Sequence, residues 1–269
     1  MLLAVTLYPT GMVVWLSVHR TRLYEVVDGV GLANYVSVLT SPAFLELSLN
    51  SLLYVSGALA LVLPMGLASA LALQNLASSA ALVRTLLLLP WTLSMGVVGC
   101  FWLWLLNPSY GPISFLMRSL GIEPGLMLGE PSLALILVIL VTAWWSFPYV
   151  MVMMSASLQS IPAELYEAID IDGGGLGARL RHAVWPHIAP TLGSTALTLG
   201  IVYLTLITMI LVLTGGGPIG ATATWSFEVF SSAFRSVDLS PSSVISVVVL
   251  IVNLFLGYLY SRLTGRVSG

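Results

Sequence analysis

Apolar residues run through this chain in long stretches that charge does not interrupt. No Asp, Glu or Arg falls within residues 47–83, 85–117, 131–163, 182–227 or 239–261. Each stretch exceeds the roughly 20 apolar residues that carry a helix across a bilayer. Trimming at Gly, Pro and polar clusters, and adding the apolar opening, predicts six helices over roughly 1–19, 50–74, 84–106, 132–157, 189–213 and 243–262. The connections leave no room for a second domain, so residues 1–269 read as one transmembrane domain. The first helix is short, about 28 Å, and carries Pro9. A secretory signal peptide is the alternative. Tyr8, Pro9 and Trp15 are poor signal-core residues and no small-residue cleavage site follows, so we read a membrane helix.

Composition strengthens the membrane assignment and narrows the chemistry. The chain is 58% apolar and 7% charged, against roughly 25% charged in soluble domains. A net charge of −2 argues against a nucleic-acid partner. The single Cys100 cannot form an internal disulfide. His182 and His187 have no third ligand type nearby, so no metal site is expected. No glycine-rich phosphate loop ends in Gly-Lys, which removes ATP hydrolysis by that route. No nucleophile and base pair up within a span. We therefore expect no catalytic residue and no cofactor bound by this chain.

Charge collects instead between Ser160 and Pro190. Glu164, Glu167, Asp170, Asp172, Arg179 and Arg181 lie there, six of the twenty formal charges (nine basic plus eleven acidic). Pro162 suits the first turn of a helix. Residues 163–171 are good helix formers, with Leu165, Ala168 and Ile169 on one face and Glu164 and Glu167 on another. Gly173, Gly174 and Gly175 permit a sharp reversal. A second helix over 176–185 carries Arg179, Arg181 and His182. The predicted product is a helix–glycine turn–helix hairpin on the membrane surface. Its acidic front does not suit anionic lipid, which favours clustered basic residues, so a protein partner is the better match. Placing this loop inside puts Arg84, Arg179, Arg181, Arg262 and Arg266 in the cytoplasm and Arg20, Arg22, Arg118 and Arg235 outside. Five against four barely engages the positive-inside rule.

Residues 162–173, Pro-Ala-Glu-Leu-Tyr-Glu-Ala-Ile-Asp-Ile-Asp-Gly, followed by Pro186, resemble the Glu-Ala-Ala loop of binding-protein-dependent ATP-binding-cassette importers. The chain is similar in particular to the sugar and glycerol-phosphate permeases of that group. Tyr8-Pro9, Asn50-Ser51, Arg84-Thr85 before Leu89-Pro90, residues 107–111 and residues 213–218 carry the likeness along nearly its whole length. The resemblance implies an all-α, six-helix membrane bundle of the type I importer permease fold, with a core over 48–262 and a cytoplasmic coupling loop over 160–190. It implies that Glu164, Tyr166, Glu167, Ala168, Asp170, Asp172 and Gly173 meet the ATPase. It implies as partners two ATP-binding-cassette ATPase subunits that hold the ATP and Mg, a second six-span permease, the same or a related chain, and an extracytoplasmic solute-binding protein. The place is the cytoplasmic membrane, crossed several times. Ile169 stands where the family usually has Ala, and Ala183 and Trp185 where it usually has Ile and Leu.

No charged residue lies deep in a predicted span, which argues against a proton- or sodium-coupled carrier; a channel or secondary carrier is the rival outside the importer class. A neutral polar solute suits the chain better than an ion, with glycerol phosphate as the alternative. Sugars stack on aromatic faces and hydrogen-bond to amides, so candidate cavity residues are Asn50, Trp102, Trp104, Trp144, Trp145, Tyr149, Tyr203 and Asn253. Each has a structural alternative as an interfacial anchor or packing residue. Residues 215–242 form a long outer loop. Trp225, Phe227, Phe230 and Phe234 are spaced for an amphipathic helix on the membrane surface.

Overall fold

The computed structural model describes residues 2–74 and 80–264. The chain opens with α1 (Leu2–Ser17), turns through a hairpin, β1 (His19–Arg22) and β2 (Glu25–Gly29), and continues into α2 (Ala33–Leu39) and α3 (Pro42–Gln74). Next come α4 (Ala80–Thr92), α5 (Met95–Leu105), α6 (Pro112–Ser119) and α7 (Pro131–Gln159). α8 (Ala163–Ile171) leads to α9 (Leu176–Ala178), a π-helical turn at Arg179–Val184, and α10 (Trp185–Thr205). α11 (Thr208–Leu213), α12 (Trp225–Phe230), a π-helical turn at Ser231–Arg235 and α13 (Leu239–Thr264) complete it.

Four helical rods among the described residues have the length and apolarity of a membrane span: Pro42–Gln74, Pro131–Gln159, Leu176–Thr205 and Leu239–Arg262. The pair α4–α5 makes a fifth if its two halves, bent by 96°, count as one. The predicted helix over 1–19 corresponds to α1, whose apolar part, Val5–Ser17, is shorter than a span. The expected six spans are thus four or five by length. Arg266, expected inside, lies outside the described residues.

α7 is the central element, with 56% of its apolar stretch buried against 22% for α3. Leu47, Ser51, Tyr54, Ala58, Val62, Gly66, Ala70 and Leu73 recur every three or four residues along α3 and are buried, a helical ridge turned toward the bundle. A Cβ on Gly66 would lie 2.4 Å from Val150 Cβ on α7. In lipid, such close van der Waals packing rather than a hydrophobic drive holds helices together.

Two breaks interrupt the spans, and side chains satisfy the backbone at each. Pro90, inside α4, has no amide to donate to the Leu86 carbonyl, and the chain turns just past the helix end at Leu93–Ser94. Trp145 Nε1 donates to Leu93 O at 3.3 Å and Ser94 Oγ accepts from Val97 N at 3.4 Å. Between α10 and α11, Leu206 is extended, and Ser226 Oγ donates to its carbonyl at 3.1 Å. Free backbone groups at membrane depth need such partners. The predicted spans over 84–106 and 189–213 missed these breaks.

The all-α bundle carries one short hairpin that the sequence pattern does not predict, which pairs His19 with Gly29 and Arg22 with Glu25. Its turn residues, Leu23 and Tyr24, have φ of 50° and 67° without being Gly or Asn. Tertiary bonds hold it in place. Thr21 N donates to Ser240 Oγ at 2.8 Å, and Thr21 Oγ1 donates to Asp238 Oδ1 and accepts from Leu239 N, both at 2.9 Å. Thr21→Val leaves the part-buried Leu239 amide without its partner and takes one donor from Asp238 Oδ1, a cost of about 1–3 kcal/mol. Trypsin cleavage after Arg20 or Arg22 is expected to accelerate several-fold in that variant. An unchanged cleavage rate would show that the clip does not hold the hairpin.

Candidate functional site

The charged segment divides differently from its sequence pattern. α8 begins at Ala163 with Pro162 as its N-cap residue, φ −59° and ψ 137°. Leu165, Tyr166 and Ile169 pack against the bundle core. Ala168, expected on that apolar face, is exposed with Glu164, Glu167, Asp170 and Asp172. Among the described residues, Glu164, Glu167 and Asp172 form no side-chain hydrogen bond or ion pair within the chain. Asp170 does: it accepts from Arg179 Nε at 2.9 Å and from Arg179 Nη2. That hydrogen bond, then the carboxylate's charge, pushes the guanidinium pKa further up.

The helix ends in a Schellman motif. Gly174 N donates to Ile169 O at 2.8 Å and Gly173 N to Asp170 O at 3.0 Å, with Gly173 at φ +72°. The Ile169 side chain explains a second glycine. A Cβ on Gly174 would lie 2.6 Å from Ile169 Cγ2.

The second half of the expected hairpin is not a separate surface helix. Leu176–Thr205 is one rod of 30 residues. The π-helical turn at Arg179–Val184 runs directly into Pro186, which has no amide to donate back into that turn. Ala183 is fully buried while Trp185 is exposed. Ile171 (85% exposed), Leu176 and Leu180 leave apolar surface beside the acidic face of α8.

The cavity candidates do not converge. Trp102 and Trp144 meet edge to face at 5.5 Å between ring centres. Trp145 and Tyr149 both pack on Trp91, at 4.4 and 5.4 Å. Trp91 was not a sequence candidate, although a Trp one residue after Pro90 marks the break it packs under. Trp144 also lines a cavity of about 380 Å³ inside the α4–α5 elbow, with Phe101 and Phe147. Trp104 is exposed. Tyr203 is 1% exposed and bonds Ser146, beside the pair Tyr54 and Thr142, and so belongs to the core. Asn50 Nδ2 donates to Gly220 O and Ala223 O, both at 3.0 Å, tying α3 to the 213–224 loop. Asn253 lies apart, in a cavity of about 500 Å³ between α10, α12 and α13.

The outer aromatic segment is also built into the bundle. Phe227 is 5% exposed. Trp225 Nε1 donates to Ser48 Oγ at 3.1 Å, and its ring stacks on Phe44. Phe234 is exposed. The expected helix on the membrane surface is instead the short helix Trp225–Phe230 and the π-helical turn after it, packed against α3 and α13.

No group of three or more His, Cys, Asp or Glu side chains able to hold a metal occurs among the described residues. Residues 47–269 match the family model described as binding-protein-dependent transport system inner membrane component. The chain is 29% identical over 249 residues to the trehalose/maltose transport system permease protein MalF of Thermococcus litoralis, covering 92% of this chain and 84% of that protein. It is 34% identical over 227 residues to the sn-glycerol-3-phosphate transport system permease protein UgpA of Agrobacterium fabrum, covering 83% and 76%. Its fold matches a chain of a bacterial alginate ABC transporter, solved in complex with alginate pentasaccharide-bound periplasmic protein. That TM-score is 0.85 at 18% identity, over 98% of this chain and 90% of that one.

Proposed function

The chain belongs to the family of binding-protein-dependent transport system inner membrane components, and from that premise we propose that it passes a sugar or sugar-like solute through an ATP-binding-cassette importer. It is a multi-pass inner-membrane permease subunit and not an enzyme. The ATP and Mg belong to two ATPase subunits on the cytoplasmic side. A related second permease completes the pathway, and a solute-binding protein delivers solute from outside. The relatives named for trehalose/maltose and for glycerol phosphate support the solute class. The second of them keeps a glycerol-phosphate importer as the other reading.

The observation that carries this reading is α8. It is a short helix anchored by Leu165, Tyr166 and Ile169, with unpaired carboxylates Glu164, Glu167 and Asp172 turned to solvent. Docked on an ATPase, with Gly173 holding the bend, it would carry that subunit's closure into the continuous rod Leu176–Thr205. The permease core then spans residues 48–262, with 160–190 at its cytoplasmic end. Six crossings fit the contacts between faces. The end of β1 touches the start of α13 through Thr21, Asp238 and Ser240. The end of α7 touches the start of α10 at the other face, where Ser157 Oγ donates to His187 O at 3.1 Å. α1 must then cross to reach the hairpin, short as it is, and local bilayer thinning accommodates such a mismatch.

Two measurements test the reading. Tagged protein purified from its native membrane should bring down an ATPase subunit and a second permease; recovery alone would exclude the importer. In a Cys100→Ser background, the exposed sites Ser160→Cys and Ser236→Cys should react with an impermeant thiol reagent from the cytoplasmic and outer sides respectively. Labelling of Ser160→Cys from outside intact cells would invert the topology.

A further inference from the structure

The cavity of about 500 Å³ between α10, α12 and α13 has an unusual polar inventory. Its size lies within the range of small-molecule sites, which are mostly apolar with a few placed polar groups. Four polar side chains line it: Thr205, Ser226, Ser246 and Asn253. Each of the three hydroxyls has already committed its one proton. Thr205 Oγ1 donates to Val202 O at 3.0 Å, Ser226 Oγ to Leu206 O at 3.1 Å and Ser246 Oγ to Ser242 O at 2.7 Å. Only acceptor lone pairs remain on them. Asn253 Oδ1 is buried without any hydrogen-bond partner, a state that costs stability unless something fills it. Phe230 and Phe234, 5.1 Å apart, supply an apolar wall. Ile207, at the break between α10 and α11, is part of the lining. Discontinuous helices mark solute sites in transporters.

We infer that this cavity is a solute subsite for a neutral polyhydroxylated molecule, whose O–H groups donate to Asn253 Oδ1 and the three hydroxyl oxygens while its C–H face lies on the phenylalanines. The inference rests on the permease reading above and sharpens its solute class. A phosphate or carboxylate brings charge and several acceptors to a site whose three hydroxyls have only lone pairs left and whose one free donor group is the Asn253 amide. No Arg side chain lines the cavity. The three outer arginines with a mapped contact are engaged elsewhere. Arg20 pairs with Asp28, Arg118 donates to Pro108 O at 2.6 Å, and Arg235 lies 5.3 Å over the Phe227 ring. A helix of the second permease is the competing occupant. Membrane helix interfaces favour small residues that let backbones approach, whereas this lining is dominated by Leu, Ile, Val and Phe.

The test uses the whole complex, with its ATPases, second permease and binding protein, in liposomes. ATP-driven uptake of radiolabelled trehalose, maltose, glycerol and sn-glycerol 3-phosphate is measured. A neutral member of this panel is expected to be the preferred solute. Asn253→Leu, which keeps the volume and removes the buried unpaired carbonyl, should raise its KM at least tenfold with the second permease retained in wild-type proportion. Val249→Trp, which fills the cavity from its wall, should block uptake. Preference for sn-glycerol 3-phosphate would overturn the neutral assignment. An unchanged KM in Asn253→Leu would overturn the subsite. Loss of the second permease from that variant would make the groove a subunit interface and overturn it too. Absence of ATP-driven uptake of all four solutes by the wild-type complex would overturn the underlying importer reading instead.

Discussion

Gly216→Ala is expected to lower solute uptake at least tenfold, while Gly215→Ala and Gly217→Ala leave most of it. The three neighbouring glycines look equivalent in sequence and are not equivalent in space. Gly215 has φ +60° with no atom within 4 Å of an added Cβ, so alanine there meets only backbone strain. Gly217 has an ordinary φ, and a Cβ would sit 3.3 Å from Thr214 O. Gly216 has φ +85°, and its Cβ would lie 2.3 Å from Phe227 Cε1. Left-handed backbone costs an L-residue roughly 1–2 kcal/mol, and overpacking a buried ring adds about 1–3 kcal/mol. Only position 216 incurs both.

Phe227 cannot easily yield. It is the buried ring of α12, held by the Thr224 cap, whose Oγ1 accepts from Phe227 N at 3.4 Å, and covered by Arg235. Moving it disturbs the turn that carries Ser226, whose hydroxyl satisfies the broken helix at Leu206. The double variant Gly216→Ala/Phe227→Leu should recover part of the lost uptake, because the smaller side chain removes the clash and leaves only the φ strain. If the single alanines at 215, 216 and 217 reduce uptake equally, the contact with Phe227 is not what position 216 contributes. If none reduces it, this loop has no part in transport.

Residue type and spacing made most of the bundle legible and left its discontinuities hidden. The charge-free stretches located α3, α7 and α13 within a few residues or a turn or two, because lipid tolerates only apolar side chains over that length. The start of α3 was placed too late, at residue 50. Its first turns, from Pro42, include the exposed Glu46, whose charge bounds the charge-free stretch that begins at residue 47. The breaks at Leu93–Ser94 and Leu206–Ile207 do not alter the hydropathy run. They exist because Trp145 and Ser226, distant in sequence, satisfy the freed carbonyls. The hairpin at 19–29 was invisible for a related reason. Leu23-Tyr24 carries no turn signal, and its left-handed backbone is over-determined by Thr21 bonding across the chain to Asp238 and Ser240. In the charged segment, the acidic helix and its glycine stop were local properties, and both are present. What local properties could not supply was the fusion of 176–185 to the following span, which depends on a π-helical turn ahead of Pro186. The aromatic cavity candidates dispersed because Trp and Tyr also serve as packing and capping groups, as Trp145 and Tyr203 do.

Gly173→Val is expected to reduce solute-stimulated ATPase activity of the assembled transporter to within about twofold of its unstimulated rate. Gly173 sits at φ +72° in the Schellman turn that ends α8. A β-branched residue held there costs about 1–3 kcal/mol, enough to lower occupancy of the native bend by a factor of roughly 5 to 150. α8 would then leave the orientation in which Glu164 and Glu167 face outward. Gly175 is the internal control. It is extended, with φ −88° and ψ −170°, and has open space around it, so Gly175→Val should retain coupling. Glu167→Lys tests the surface rather than the bend. Glu167 is exposed and unpaired within the chain, so charge reversal leaves the fold alone and should weaken ATPase retention on purification. Asp170→Asn or Arg179→Gln should matter less, because an exposed ion pair contributes only about 0–1 kcal/mol. Equal damage from Gly173→Val and Gly175→Val would mean that the partner reads the loop surface and not its bend. Full coupling in both Gly173→Val and Glu167→Lys would remove α8 from the docking site.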